Sequence, residues 1–304
     1  MASIIAQAAT AAAAAQQFPA AALYVVATPI GNLADLTLRA IHVLGLVDAV
    51  ACEDTRVSAG LLSHLGLHKP LMALHEHNEH EAAQRVVERL QRGERVAYVS
   101  DAGTPVVSDP GAALVAAVQT AGLRCVPIAG VSSVTAALSV AGDAAATGFR
   151  FVGFAPSRAA ERSAWVASLA AHRHDSIVLF ESPHRVAALF EALGQAMPQR
   201  RLTIARELTK QFEEVVTLVA AKAAAWQAAD ANRARGEFVL VLHAQPPAVA
   251  ADPVDARTEG ALKLLLAHLP LKQAVAVAAQ LSGAPRNALY QRALALRDEG
   301  QADV

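Results

Sequence analysis

The chain has only two cysteines in 304 residues, Cys52 and Cys125, and they form no pairing or ligand motif. That scarcity excludes a disulfide framework and a cysteine metal site, and it fits a reducing cytoplasm. Neither G-x-G-x-x-G nor G-x-x-x-x-G-K occurs, so the dinucleotide and P-loop phosphate cradles are missing. Charge of either sign is not in excess: the net value of -1 excludes a uniformly basic nucleic-acid binder. Residues 1–22 are rich in Ala, broken by Gln7, Gln16 and Gln17, with no Lys or Arg for a signal peptide. They read as a disordered tail, and no membrane span is expected there or elsewhere.

What is present is apolar bulk. Hydrophobic residues make up 54% and charged residues 17%, enough for a sizeable core and two domains. Basic residues number 12 against 9 acidic in 150–250, and 8 against 12 in 1–149, so the basic excess sits in the middle third. Short β-rich runs alternate with helical patterns from Leu23 to Ala244, which predicts an α/β fold of largely parallel order. The predicted strands are 23–27, 49–52, 95–99, 124–127, 151–154, 176–180, 202–205, 215–219 and 237–243. The small, polar run Gly142–Gly148 divides a domain at 23–147 from one at 148–244. Residues 245–257, with three prolines, read as a linker, and 258–304 as a small helical domain. Its last two helices join at Gly283 in a connection like a helix-turn-helix. Asp35 is expected to cap the helix ending at Leu46, and Asn78 with Glu81 forms a capping-box pattern.

Three loops that follow predicted strands draw attention, because open α/β sheets bind ligands at the carboxyl ends of their strands. They are Thr28-Pro29-Ile30-Gly31-Asn32, the stretch Ser100–Gly111 with two Asp, two Pro and two Gly, and Ala129-Gly130-Val131-Ser132-Ser133. Carboxylates beside exposed backbone suit a ligand with ammonium and hydroxyl groups better than one rich in phosphate. The plainer reading makes Asp109 and Ser132 helix caps. His75, His77 and His80 do not match H-E-x-x-H, since Glu79 stands in the second histidine's place, and no metal site is expected. Leu264, Leu265, Leu266 and Leu269 read as core or dimer surface.

With Glu53-Asp54-Thr55-Arg56, Phe151–Phe154, Glu181-Ser182-Pro183-His184-Arg185, Ala205–Lys210 and Gly236–Val241, the loops form an ordered set over about residues 23–244. This set resembles the tetrapyrrole-methylase superfamily, and within it the ribosomal RNA small subunit methyltransferase I family. Leu271–Ala274 and Gly283–Asn287 resemble that family's small helical domain. The chain departs from the pattern at Ala129, where relatives often carry Pro, and at Ala155–Arg158, where a basic cluster is thinned.

The resemblance implies two α/β domains around a cleft for S-adenosyl-L-methionine, a homodimer, and 2'-O-methylation of a cytidine in 16S rRNA of the small ribosomal subunit. DNA and membranes are not implied as partners. Carried over by position, the donor contacts are Pro29, Gly103, Thr104, Pro105, Val107, Ser132, Ser133, Phe154 and Pro183. Methyl transfer to a ribose hydroxyl needs alignment and is helped by a proton acceptor. Asp54, Glu181, His184, Glu207 and Lys210 are the candidates, although Asp54–Arg56 and Glu207–Lys210 read equally well as ion pairs. Arg56, Arg158, Arg185 and Arg206, with Arg200, Arg201 and Arg235, are the candidate RNA contacts. A tetrapyrrole C-methyltransferase and a non-catalytic ribosome-assembly factor on the same fold remain alternatives.

Overall fold

The computed structural model describes residues 4–75, 78–245, 254 and 256–302. They fall into two compact units, Met1–Ala244 and Gln245–Val304. In the larger unit, α1 (Ile4–Ala13) leads into β1 (Ala22–Val26), α2 (Leu38–Leu46), β2 (Ala49–Cys52), α3 (Thr55–His64) and β3 (Leu71–Ala73). Then come α4 (Glu79–Gln91), β4 (Arg95–Val99), α5 (Ala112–Thr120), β5 (Arg124–Ile128) and α6 (Ser133–Ala141). The five strands pair in parallel in the order β3-β2-β4-β1-β5.

A parallel sheet must be covered on both faces, and its residues alternate to do so. Tyr24, Val26, Val50, Cys52, Ala97 and Val99 pack with Ile41 and Leu44 of α2 and Leu62 of α3. Leu23, Ala51, Val96 and Tyr98 pack on the other face with Val86 and Leu90 of α4 and Leu114 and Val118 of α5. Each such fully buried Leu or Val stabilises by about 1.5–3 kcal/mol.

The second half contributes β6 (Gly148–Phe154), α7 (Ala159–Leu169), β7 (Asp175–Glu181), α8 (Val186–Ala196), β8 (Arg201–Arg206), β9 (Glu214–Val219), α9 (Ala223–Ala228) and β10 (Phe238–Leu242). Their order is β6-β7-β10-β8-β9, and only the β6–β7 pair is parallel. The largely parallel order expected over 23–244 holds throughout the first sheet and in the second only at the β6–β7 pair. The stretch 207–213 between β8 and β9 is too short for a parallel crossover, which takes a dozen residues or more. One face of this sheet packs Ile177, Leu179, Leu202, Ile204 and Leu240 against Val166 of α7 and Phe190 and Leu193 of α8. The other packs Val178, Ala205, Val239 and Val241 against Val134, Ala137 and Ala141 of α6. Helix α6 thus follows a strand of the first sheet but lies on the second.

Several local expectations are corrected. Residues 4–13 of the supposed tail are helical: alanine is the strongest helix former, and Ala9 is buried in the core that α2 also enters. Strand β3 went unpredicted because it has three residues and no β-branched side chain. Thr37, not Asp35, caps α2, accepting from the Ala40 amide at 3.1 Å. Asn78 makes no capping box; its side chain accepts from the His75 amide and donates to the Ala73 carbonyl.

The smaller unit holds α10 (Ala256–His268), α11 (Leu271–Ser282) and α12 (Arg286–Ala302). Gly283, at φ +72, ends α11 in the left-handed conformation. Val254, Leu262, Val275, Ala278, Leu289 and Ala293 form its core, with Leu265 and Leu266 against it, while Leu264 is exposed. Most of the expected linker, residues 246–253 and 255, lies outside the described residues. Among the described residues no helix is long and apolar enough to cross a membrane.

Candidate active site

The three singled-out loops leave β1, β4 and β5, which are adjacent in the sheet, so they meet at one edge. Main-chain bonds tie them together. Thr28 and Gly103 exchange N–H···O bonds of 2.9 and 3.0 Å, and the Thr28 hydroxyl donates to the Ser100 carbonyl. The Thr104 hydroxyl donates to the Val131 carbonyl at 2.9 Å. At Gly130 a β-carbon would stand 2.8 Å from that of Ala27, so the third loop lies bare-backbone against the first.

The loop after β4 is strained. Val106 and Ser108 sit at φ +73 and +68, a region that costs non-glycine residues about 1–3 kcal/mol each. Gly111, at φ +116, lies where any β-carbon would collide with the Tyr98 ring. Glu79 of α4 secures the loop's end, accepting from the Gly111 and Ala113 amides at 2.8 and 2.9 Å. Asp109 therefore does not cap α5 as the plain reading had it. Nor does the Ser132 side chain cap α6.

The opposite wall belongs to the second sheet and is built from charged side chains. Glu181 ends β7 with its side chain fully buried. It accepts from the Ser182 amide at 2.9 Å and pairs with Arg185, which also donates to the Ala155 carbonyl. Burial raises the Glu181 pKa, against the pull of the Ser182 amide and Arg185. After β8, Glu207 and Thr209 adopt positive φ. The Lys210 ammonium donates to Glu207 at 2.9 Å and to Glu237 at 3.0 Å, and the Glu237 amide donates to Glu207. Burial raises the Glu207 carboxyl, but the bonds from Lys210 and the Glu237 amide outweigh it and leave it below the ordinary value. Burial lowers Lys210, and the two carboxylates outweigh that and raise it. The walls touch where the Lys210 stem fills the space a β-carbon would need on Gly31.

Between them lies a cleft of about 410 Å³. The first wall supplies Ile30, Ala102, Ser108, Asp109 and Ser133; the second supplies Phe154, Phe180, Glu181, Ser182, Pro183, Leu208 and residues 237–239. Of the expected residues, Ser133, Phe154, Glu181 and Pro183 line it directly. Pro29, Gly103, Thr104, Pro105, Val107 and Ser132 belong to the loops that frame it. Ser108, Asp109 and Glu237 were in quoted motifs yet passed over, and Phe180 was unsignalled because a buried-strand Phe looks like core.

Asp54 stands outside the lining. It caps α3 by accepting from the Arg56 amide, donates its own amide to the Asp101 carboxylate, and pairs with Arg56 at 2.6 Å. Hydrogen bonds from the Arg56 side chain and amide pull its pKa down to about 2. Among the candidate RNA contacts, Arg56 and Arg158 are exposed, the second paired with Glu161. Arg206 is a correction: it is buried, and its guanidinium donates to the carbonyls of Arg235, Asn232 and Phe212. Arg200 is likewise buried on the carbonyls of His243, Leu169 and His172. Both neutralise strand and loop ends inside the fold. His77 lies outside the described residues.

Cobalt precorrin-4 methyltransferase matches the structure with a TM-score of 0.55 at 18% identity, over 73% of this chain and 95% of that one. Uroporphyrin-III C-methyltransferase from Thermus thermophilus matches at 0.53 and 22%, over 73% and 94%. Residues 22–224 match the family described as Tetrapyrrole (Corrin/Porphyrin) Methylases, and residues 252–297 match the RsmI C-terminal HTH domain. Proteins named ribosomal RNA small subunit methyltransferase I are similar along nearly the whole chain. That of Neisseria meningitidis serogroup A is 44% identical over 91% of this chain and 94% of its own. That of Pseudomonas aeruginosa is 44% identical over 90% and 97%. The chain belongs to the tetrapyrrole methylase family, in its ribosomal RNA small subunit methyltransferase I branch, and is a methyltransferase.

Proposed function

We propose that this chain transfers a methyl group from S-adenosyl-L-methionine to the 2'-oxygen of a cytidine ribose in 16S rRNA of the small ribosomal subunit, acting as a homodimer in the cytoplasm. The observation that carries the reading is the similarity to relatives of that name over 90–91% of the chain, together with the match of residues 252–297 in the helical C-terminal unit.

The site fits the donor. Its volume lies in the range of small-molecule sites, and its lining mixes apolar surface with a few hydroxyls and carboxylates. Phe154, 52% exposed and edge-on to Phe180, offers an aromatic face, and the Ala102–Gly103 turn offers bare backbone. Ser133 stands at the first turn of α6, whose amides no side chain caps. When bound, the donor supplies an electrophilic methyl carbon on a sulfonium. The chain's residues align an acceptor hydroxyl with that carbon and exclude water, which accounts for much of the barrier lowering.

Labelled donor, offered with purified 30S subunits, naked rRNA or a tetrapyrrole precursor, tests the reading. Label on a cytidine ribose of the 30S particle is the expected result. Label in the tetrapyrrole, or in nothing, overturns it. Binding to RNA should also weaken steeply with salt if Arg56 and Arg158 face phosphates.

A further inference from the structure

Of the acid–base groups expected from the motifs, Asp54, Glu181, Glu207 and Lys210 are engaged, and His184 is exposed and outside the cleft lining. Lys210 is an ammonium held between two carboxylates and has no lone pair to offer. Glu207 accepts from Lys210 and from an amide, Glu181 from Arg185 and an amide, and Asp54 from Arg56 while it caps α3. Glu237 lines the cleft but bonds Lys210.

Asp109 differs from all of these. It lines the same cleft, on the wall of the loops after β1, β4 and β5; the Ser100 hydroxyl bonds to it and the Asp101 and Glu53 carboxylates lie near, but no cation pairs with it. Helix capping does not occupy it, because Glu79 takes the α5 amides. The strained residue Ser108 before it and Gly111 after it fix its place, with Ser108 packed at Gly153 of the facing sheet.

We propose that Asp109 is a catalytic residue whose carboxylate accepts the proton of the attacking ribose hydroxyl. The inference rests on the 2'-O reading above. The ribose oxygen bonds to the methyl carbon as the carbon–sulfur bond breaks. That bond's electrons remain on sulfur, which leaves as a neutral thioether, and the hydroxyl proton moves to Asp109 and then to water. Burial raises the Asp109 pKa, partly offset by Ser100 and reinforced by Asp101, which makes it a better base than an exposed aspartate.

The test is single-turnover transfer to 30S subunits, with the labelled position identified and donor affinity measured by calorimetry. Asp109→Asn should slow transfer by roughly 10²–10⁴-fold, with the donor Kd within about threefold of the parent. Asp109→Ala should be partly restored by added formate, a gain that a merely structural role would not show. Ribose label from the parent protein with undiminished transfer by Asp109→Asn overturns the inference alone. So does a donor Kd that weakens as much as the rate falls, which would place the carboxylate on the donor's ammonium. If either variant fails to fold, Asp109→Ser replaces it, and an unchanged rate and pH profile there would also overturn the inference. Label on a base, or none, from the parent protein defeats the 2'-O reading itself.

Discussion

The cleft's two walls keep their shape by different means. Toward the first sheet the main chain does it, through positive φ at Val106 and Ser108, the cross-loop bonds of Thr28 with Gly103, and glycines with no room for a β-carbon. Toward the second sheet paired charges do it, Glu181 with Arg185 and Lys210 with Glu207 and Glu237. A backbone wall answers to pH only where Glu79 anchors it and is intolerant of substitution. An ion-paired wall tolerates small substitutions and answers to pH and ionic strength.

Gly111→Ala should give the largest effect, about 3 kcal/mol of lost stability, because strain at φ +116 adds to a clash with the enclosed Tyr98 ring. A shift in the guanidinium midpoint equivalent to under about 1 kcal/mol would break the contrast between walls. Gly236→Ala, at φ +88 but facing the flexible Glu207 carboxylate, should cost about half as much.

Lys210→Met keeps the stem against Gly31 and removes the charge. A loss of about 1 kcal/mol at neutral pH is expected, after discounting for partial exposure and screening. In the parent, the lowered Glu207 pKa contributes stability that is present above the ordinary value of 4.5 and is lost as pH falls through the lower folded value. In the variant the Glu237 amide and Arg206 still oppose burial at Glu207, so its loss of stability on acidification should be shallower than the parent's. Melting curves across that range decide it, and parallel curves would remove Lys210 as the source.

The smallest effect lies away from both walls, at His243, which is buried with Nε2 2.7 Å from the Thr203 hydroxyl. Burial lowers its pKa, so its neutral form contributes stability that is present above 6.5 and lost as pH falls through the depressed value. His243→Gln should flatten the parent's decline below pH 6.5. An unchanged slope would mean another group titrates there.

The strands with continuous apolar runs, such as Ala22–Val26 and Phe238–Leu242, were legible because burial on both faces writes itself into local sequence. Strand β3 and the antiparallel turn of the second sheet were not, since pairing direction depends on partners remote in the chain. At the site, the glycine- and aspartate-rich loops announced themselves. Which aspartate is left without a cation or a helix to cap did not, because that depends on Glu79 arriving from another helix to take the cap. Arg206 misled for a related reason: a motif arginine looks the same whether it faces solvent or carbonyls inside the fold.

Helix α6 has a mechanical consequence. Ser133 at its start lines the cleft, while Val134, Ala137 and Ala141 grip the second sheet, so one short rod spans both walls. The gauge of the cleft is thereby set like the jaws of a fixed spanner. A change in the separation of the two sheets would have to shift α6 against one of them.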